Sequence, residues 1–293
     1  MKRQNQERQM ILLGAHFSIA GGLHKALSTA HDYGCTALQI FTKNASTWKE
    51  RTLTDQNIEQ FNAAREQTGI RSICSHTAYL INLASPESRK YQRSMKALKD
   101  ELIRSSLLRI PYVIMHPGSH MGMGEEKGLR QIAQGINQIF DRTPHITSRL
   151  LLETTAGQGS NLGYTFEHLA AISDMVEARE RIGFCLDTCH VFAAGYDLRT
   201  KTAYQETMAA FDRVVGLERL CVIHLNDAKK GLGSRVDRHE HIGEGAIGID
   251  AFRFIMNDPR FNGLPMILET PKEKGPVDYD RLNLERLRDL IVD

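Results

Sequence analysis

The chain is 293 residues long, 41% hydrophobic and 25% charged, with a formal net charge of +2. That composition fits one large barrel or two modest domains, and the small net charge neither demands nor excludes nucleic acid, whose phosphates are met by locally clustered Lys and Arg. No apolar stretch approaches the ~20 residues that cross a bilayer, and the polar opening Met1-Lys-Arg-Gln-Asn-Gln-Glu-Arg-Gln9 lacks a signal-peptide core, so a cytoplasmic protein without a membrane partner is expected.

In chain order, residues 1–9 read as a flexible tail and residues 10–293 as a single domain. Met10-Ile-Leu-Leu-Gly-Ala-His16 and Thr36-Ala-Leu-Gln-Ile-Phe41 read as strands, with Gly21-Gly22 a helix-entry turn between them. Six further apolar runs follow: Ser72–His76, Tyr112–His116, Leu150–Glu153, Ile182–Asp187, Cys221–His224 and Met266–Glu269. Helical spacing of apolar residues fills the intervals Leu53–Thr68, Pro86–Arg109, Gly128–Phe140, Thr165–Ala178, Lys201–Val215 and Ile249–Met256. Thr54 and Ser85-Pro86 suit helix starts, and Gly69 and Gly216 suit helix ends. About eight alternating strand and helix units, with no linker or GxGxxG turn, predict an α/β fold, one (β/α)₈ TIM barrel. The five cysteines make neither a CxxC pair nor a framework and are expected to be reduced packing residues.

The six runs share an ending: each closes on a residue able to bind a metal. In a (β/α)₈ barrel the C-terminal strand ends face one mouth, where chemistry is placed, so these residues should converge there. A single His or acid closing a strand is unremarkable, but six crowded together without cations would repel or neutralise one another. Asp187-Thr-Cys-His190 adds a donor, and Asp237-Arg-His239 puts a carboxylate and an imidazole on one side of an extended loop. The inventory is His76, His116, Glu153, Asp187, His190, His224, Asp237, His239 and Glu269. Imidazoles and carboxylates without thiolate suit zinc or another first-row dication in an open, catalytic site. Nine donors imply two or three ions, with Glu153 able to bridge a pair, an arrangement suited to phosphodiester hydrolysis. The glycine-rich run Thr154–Gly163 reads foremost as a tight turn. Of the other histidines, His120 and His241 lie near enough to support ligands, His24, His31, His145 and His168 are expected to face solvent, and His16 has no special role.

The segments Thr42-Lys-Asn44, His116-Pro-Gly-Ser-His120, Glu153–Gly163, Asp187-Thr-Cys-His190, Ala193-Ala-Gly-Tyr-Asp197, His224-Leu-Asn-Asp227 and Gly233–His239 closely resemble endonuclease IV, the metal-dependent apurinic/apyrimidinic endonuclease family of DNA repair. The likeness runs from about Gly14 almost to the end. It implies three Zn2+ ions, with Mn2+ an alternative at one site. His76, His116 and Glu153 would hold the first; Glu153, Asp187, His224 and Glu269 the second; His190, Asp237 and His239 the third. It also implies cleavage of duplex DNA 5′ to abasic sites by in-line attack of hydroxide, leaving a 3′-hydroxyl and a 5′-deoxyribose phosphate, and removal of blocked 3′ ends. Glu153 and Glu269 would be the catalytic carboxylates, positioning water and ions.

Tyr79-Leu80 match the position where that family inserts side chains into the minor groove, as wedges that unstack a base step do. Lys43, Asn44, Lys229, Arg235 and Arg238 are the further expected DNA contacts. One departure stands out: Ser46 occupies a position where well-known members carry a DNA-inserting Arg. The competing reading is a metal-dependent sugar isomerase on the same scaffold, which would leave His190, Asp237 and His239 without work. A monomer is expected.

Overall fold

The computed structural model describes residues 11–272 and 276–292, so the expected tail at 1–9 lies outside the described residues. Eight parallel strands form a closed barrel in the order Leu12–His16, Ala37–Ile40, Ser72–His76, Tyr112–Met115, Arg149–Glu153, Ile182–Asp187, Leu220–His224 and Pro265–Leu268, the last pairing with the first. Helices cover the outside, and strands buried on both faces are why these runs are nearly all apolar. The expected TIM barrel is therefore the observed fold.

Local signals place most helices near their expected bounds. Asp55–Thr68 starts on a capping box between Thr54 and Asn57 and ends at Gly69, whose φ of 66° is the left-handed conformation glycine tolerates. Ser88–Leu107 begins two residues after Pro86, with Glu87 as its cap. Leu23–Asp32 follows the expected entry turn at Gly21-Gly22, whereas Thr188–Ala194 and Tyr279–Asp289 go beyond the sequence reading. Thr188–Ala194 is too short for apolar periodicity to reveal, and its cap is Asp187, which accepts the His190 N–H at 2.9 Å. One carboxylate thus both starts a helix and faces the barrel mouth.

Two cores are distinct. The larger lies between strands and helices and includes the fully buried Phe61, Phe184, Phe211 and Phe252. The smaller plugs the barrel with Leu12, Ala37, Cys74, Ile114, Leu151, Cys185, Cys221, Val222 and Ile267. Side chains two apart on a strand share a face. The plug therefore fixes which residues point inward one step higher: Gln39 above Ala37, His76 above Cys74, Glu153 above Leu151, Asp187 above Cys185, His224 above Val222 and Glu269 above Ile267. By the same step His116 follows Ile114, and His16 lies two such steps above Leu12.

Candidate metal centre

Eight inward positions at the mouth, one per strand line, thus carry polar side chains, and six of them are expected metal ligands. Glu153 is fully buried at the centre. Its Oε2 lies 2.9 Å from His76 Nε2 and 3.1 Å from His116 Nε2, while its Oε1 lies 2.9 Å from His224 Nδ1 and 3.4 Å from His190 Nδ1. Each oxygen therefore serves a different set of donors, the placement a bridging carboxylate needs. Ligand atoms of His76, His116 and Glu153 fall within 4.8 Å of one another, as do those of Glu153, Asp187, His224 and Glu269, and those of Asp187, His190 and His239. Asp237 Oδ1 joins the last group, 3.2 Å from His190 Nε2 and 3.5 Å from His239 Nε2. All nine expected donors are brought together.

The imidazoles are held as metal ligands usually are, with one nitrogen anchored and the other free to face the centre. His76 Nδ1 pairs with Thr77 O at 2.8 Å, His190 Nδ1 with Thr154 O at 2.8 Å, and His239 Nδ1 with Glu269 O at 3.0 Å. Carbonyl oxygens only accept, so each anchored nitrogen carries a proton, and the other is the one that can turn a lone pair to a cation. Asn226 orients two carboxylate ligands, donating to Asp187 Oδ2 at 2.6 Å and accepting the Glu269 N–H at 2.8 Å. The residues present fit a cluster of dications.

Charge agrees with geometry. Burial opposes ionisation of Glu153, yet His116 and His224 hold its carboxyl well below the usual range. Burial likewise opposes the charged form of His224, but Glu269 and Glu153 raise it to about 9. His190 is driven well above its ordinary value by Asp187 and Asp237 despite burial. Buried carboxylates that stay anionic and draw protons onto imidazoles form a site where cations can take the protons' place. Cys185 lies within 4.8 Å of Glu153 and His224, but burial first, and then the carboxylates of Glu153 and Asp187, push its thiol well up. It remains a protonated packing residue.

Asp237 and His239 sit on a loop rather than a barrel strand, and the loop is tied down. The Asp237 N–H donates to Gln158 Oε1 at 3.0 Å, and the Arg235 N–H to Ala193 O at 2.9 Å. Buried Asp227 accepts N–H groups of Ala228, Gly243, Gly245 and Ile247 at 2.8–3.1 Å, and Ala228 pairs with His239 in a two-residue ladder. A Cβ on Gly245 would collide with that carboxylate, which is why glycine stands there.

The mouth is a cavity of about 310 Å³ walled by Phe41 and Tyr79, with the two rings 5.3 Å apart, and floored by the His and acid side chains. Tyr79, 73% exposed, and Leu80 stand at its rim. Asn44, Ser46, Lys229, Arg235 and Arg238 lie on surrounding loops, and all five are exposed. Arg235 lies over the Tyr164 ring at 4.2 Å, and Lys229 is 3.7 Å from Glu240.

Lys43 differs from expectation. It is 3% exposed, and its Nζ donates to Thr47 O at 2.8 Å and faces Glu50 at 3.5 Å, so it braces its loop and does not present its charge at the surface. His168 is also buried, accepting the Gly163 N–H, and not solvent-facing. His241 stacks on Tyr279 and pairs with Asn283, and His120 accepts N–H groups of Gly122 and Gly124. Two site residues were missed, His16 and Gln39. Their signal was a polar residue in step with the strand-end ligands, inside an apolar run.

Comparison with known proteins gives a consistent picture. A family model described as a xylose isomerase-like TIM barrel matches residues 27–290. A probable endonuclease 4 of Geotalea daltonii is 49% identical over 279 residues, covering 95% of this chain and 98% of that protein. One from Chloroflexus aggregans is 49% identical over 278 residues, with 95% and 97% covered. Among solved structures, endonuclease IV from Thermus thermophilus superposes with a TM-score of 0.84 at 37% identity, covering 95% of this chain and 98% of that one. A D-tagatose 3-epimerase-like protein, with TM-score 0.70 at 18% identity over 94% and 96%, shares the fold.

Proposed function

Since this chain belongs to the endonuclease IV family of xylose isomerase-like TIM barrels, we propose that it hydrolyses the phosphodiester 5′ of abasic sites in duplex DNA, leaving a 3′-hydroxyl and a 5′-deoxyribose phosphate, and that it also clears blocked 3′ ends. The observation that carries this reading is the convergence of nine imidazole and carboxylate donors, more than one or two ions require. His76, His116 and Glu153 would hold one ion, Glu153, Asp187, His224 and Glu269 a second, and His190, Asp237 and His239 a third. Donor chemistry favours Zn2+, with Mn2+ an alternative at one position. When bound, such ions activate water and neutralise charge on the phosphate.

The chain's own residues supply position and selection. Glu153 fixes the spacing between donor groups because each of its oxygens faces a different pair. Glu269, on the floor of the cavity, orients the attacking water against the phosphate. Tyr79 and Leu80 wedge into the duplex beside the lesion, and a nucleotide without a base costs less to extrude than a paired one. Asn44, Lys229, Arg235 and Arg238 meet the backbone around the mouth. The unit that acts is one monomeric barrel domain, residues 10–293, in the cytoplasm; five buried, unpaired cysteines suit a reducing compartment.

The test is incubation of purified protein with an end-labelled abasic duplex and, separately, with an aldose, before and after chelation. Incision at the lesion, lost on chelation and restored by zinc, with the aldose unchanged, is expected. Metal-loaded protein that leaves the duplex intact would remove the reading.

A further inference from the structure

Gln39 is wholly buried at the mouth of the barrel, where six of the eight inward positions carry the expected metal ligands. Its amide touches four ionisable side chains. Nε2 lies 2.5 Å from Glu269 Oε1 and 3.0 Å from His16 Nδ1, and Oε1 lies 2.8 Å from His224 Nε2 and 3.6 Å from the Cys74 thiol.

Chemistry fixes which way this amide points. A carboxylate can only accept, so the NH₂ must face Glu269, and the carbonyl must then face His224 and Cys74, both able to donate. With its Nε2 donating to that carbonyl, His224 holds a proton there. Its Nδ1, 2.9 Å from Glu153 Oε1 and 3.2 Å from Glu269 Oε2, donates to carboxylate while no cation is bound and is the nitrogen that would turn a lone pair to one. His76, His190 and His239 use main-chain carbonyls for the same purpose, and through Nδ1. His224 is turned the other way and depends on a side chain.

We infer that Gln39 is a positioning residue that fixes the orientation of the His224 ring, by holding its Nε2–H, and the rotamer of Glu269, and through them the affinity of the group formed by Glu153, Asp187, His224 and Glu269 for its zinc ion. This rests on the metal reading above, and it adds a determinant of that site which binds no metal itself. One amide clamps two ligands from neighbouring strands, so its loss frees both together, whereas the groups built on His76 and on His239 keep their own anchors.

Gln39→Leu and Gln39→Met preserve volume and remove both hydrogen-bonding functions. Zinc equivalents and their affinities are measured by competition with a chromogenic chelator, alongside Tm and the ring-nitrogen NMR shifts of His224 in zinc-free protein. Expected are a loss of about 10–100-fold in affinity for one equivalent, the range for partners that orient a ligand, unchanged affinity for the others, and loss of the hydrogen-bonded Nε2–H signal of His224. Either folded variant holding every equivalent as wild type does, with His224 shifts unaltered, would overturn the inference. Uniform weakening of all equivalents in step with a lowered Tm would overturn it too, since that marks a merely structural role. Wild-type protein that takes up no zinc would instead sink the metal reading, and the zinc-free shifts of His224 would still decide the role of Gln39.

Discussion

At the scale of single residues, Glu269 is the most exposed to test. It lies 3.2 Å from His224, accepts from Gln39 and is held ionised against burial by His224 and His16. Removing a partner of a ligand costs about 10–100-fold, so removing the ligand's charge should cost at least the upper end. Glu269→Gln is expected to lower incision of an abasic duplex by about 100-fold or more while gel-shift affinity for the duplex survives. Away from the mouth, Asp258 is buried, yet Arg260 and Tyr204 hold its carboxyl below the usual range. A depressed folded value contributes stability that is complete above the unfolded pKa of about 3.9 and is lost as pH falls through the folded value. Asp258→Asn should therefore cost about 1–3 kcal/mol at pH 7, and urea titrations should show the gap to wild type narrowing below about pH 4. How much was legible also differs residue by residue. The ligands could be read because each closes an apolar run, and their type is rare there without a reason. Gln39 could not, because its partners lie 23, 35, 185 and 230 positions away and glutamine is not a ligand. Lys43 looked like a DNA contact because nothing nearby in sequence reveals the network of Glu50, Arg104 and Glu101 that turns this loop inward.

At the scale of elements, the barrel strands declare themselves by length and apolarity, and the helices by caps such as Thr54 and Gly69. The loop carrying Asp237 and His239 has neither signal, since its shape is dictated by Asp227 gathering four N–H groups. Replacing that carboxylate leaves those donors unpaired in a buried place, and each unmet group costs roughly 1–3 kcal/mol before relaxation. Asp227→Ala is expected to destabilise the protein by on the order of 3 kcal/mol in urea unfolding. It should also reduce bound metal by one equivalent, because His190 alone keeps its place on a helix. A variant with full metal content would show that the clasp does not govern this loop.

At the scale of the whole molecule, six strand lines and one loop meet in a single cluster of donors, so ions bound there tie the barrel's circumference together. A ligand that binds only the folded state adds about 4 kcal/mol when present at about 1,000 times its dissociation constant. Chelation should therefore lower Tm by several degrees, with zinc restoring it, and an unchanged Tm would mean that the donors hold no ion in solution. The closure of the ring has one more consequence. The strand Pro265–Leu268 lies between Leu12–His16 and Leu220–His224, and Glu269 follows it, so the pocket is completed only once the eighth strand of the ring has been made. A nascent chain or prematurely stopped fragment lacks that wedge of the circle and cannot cut.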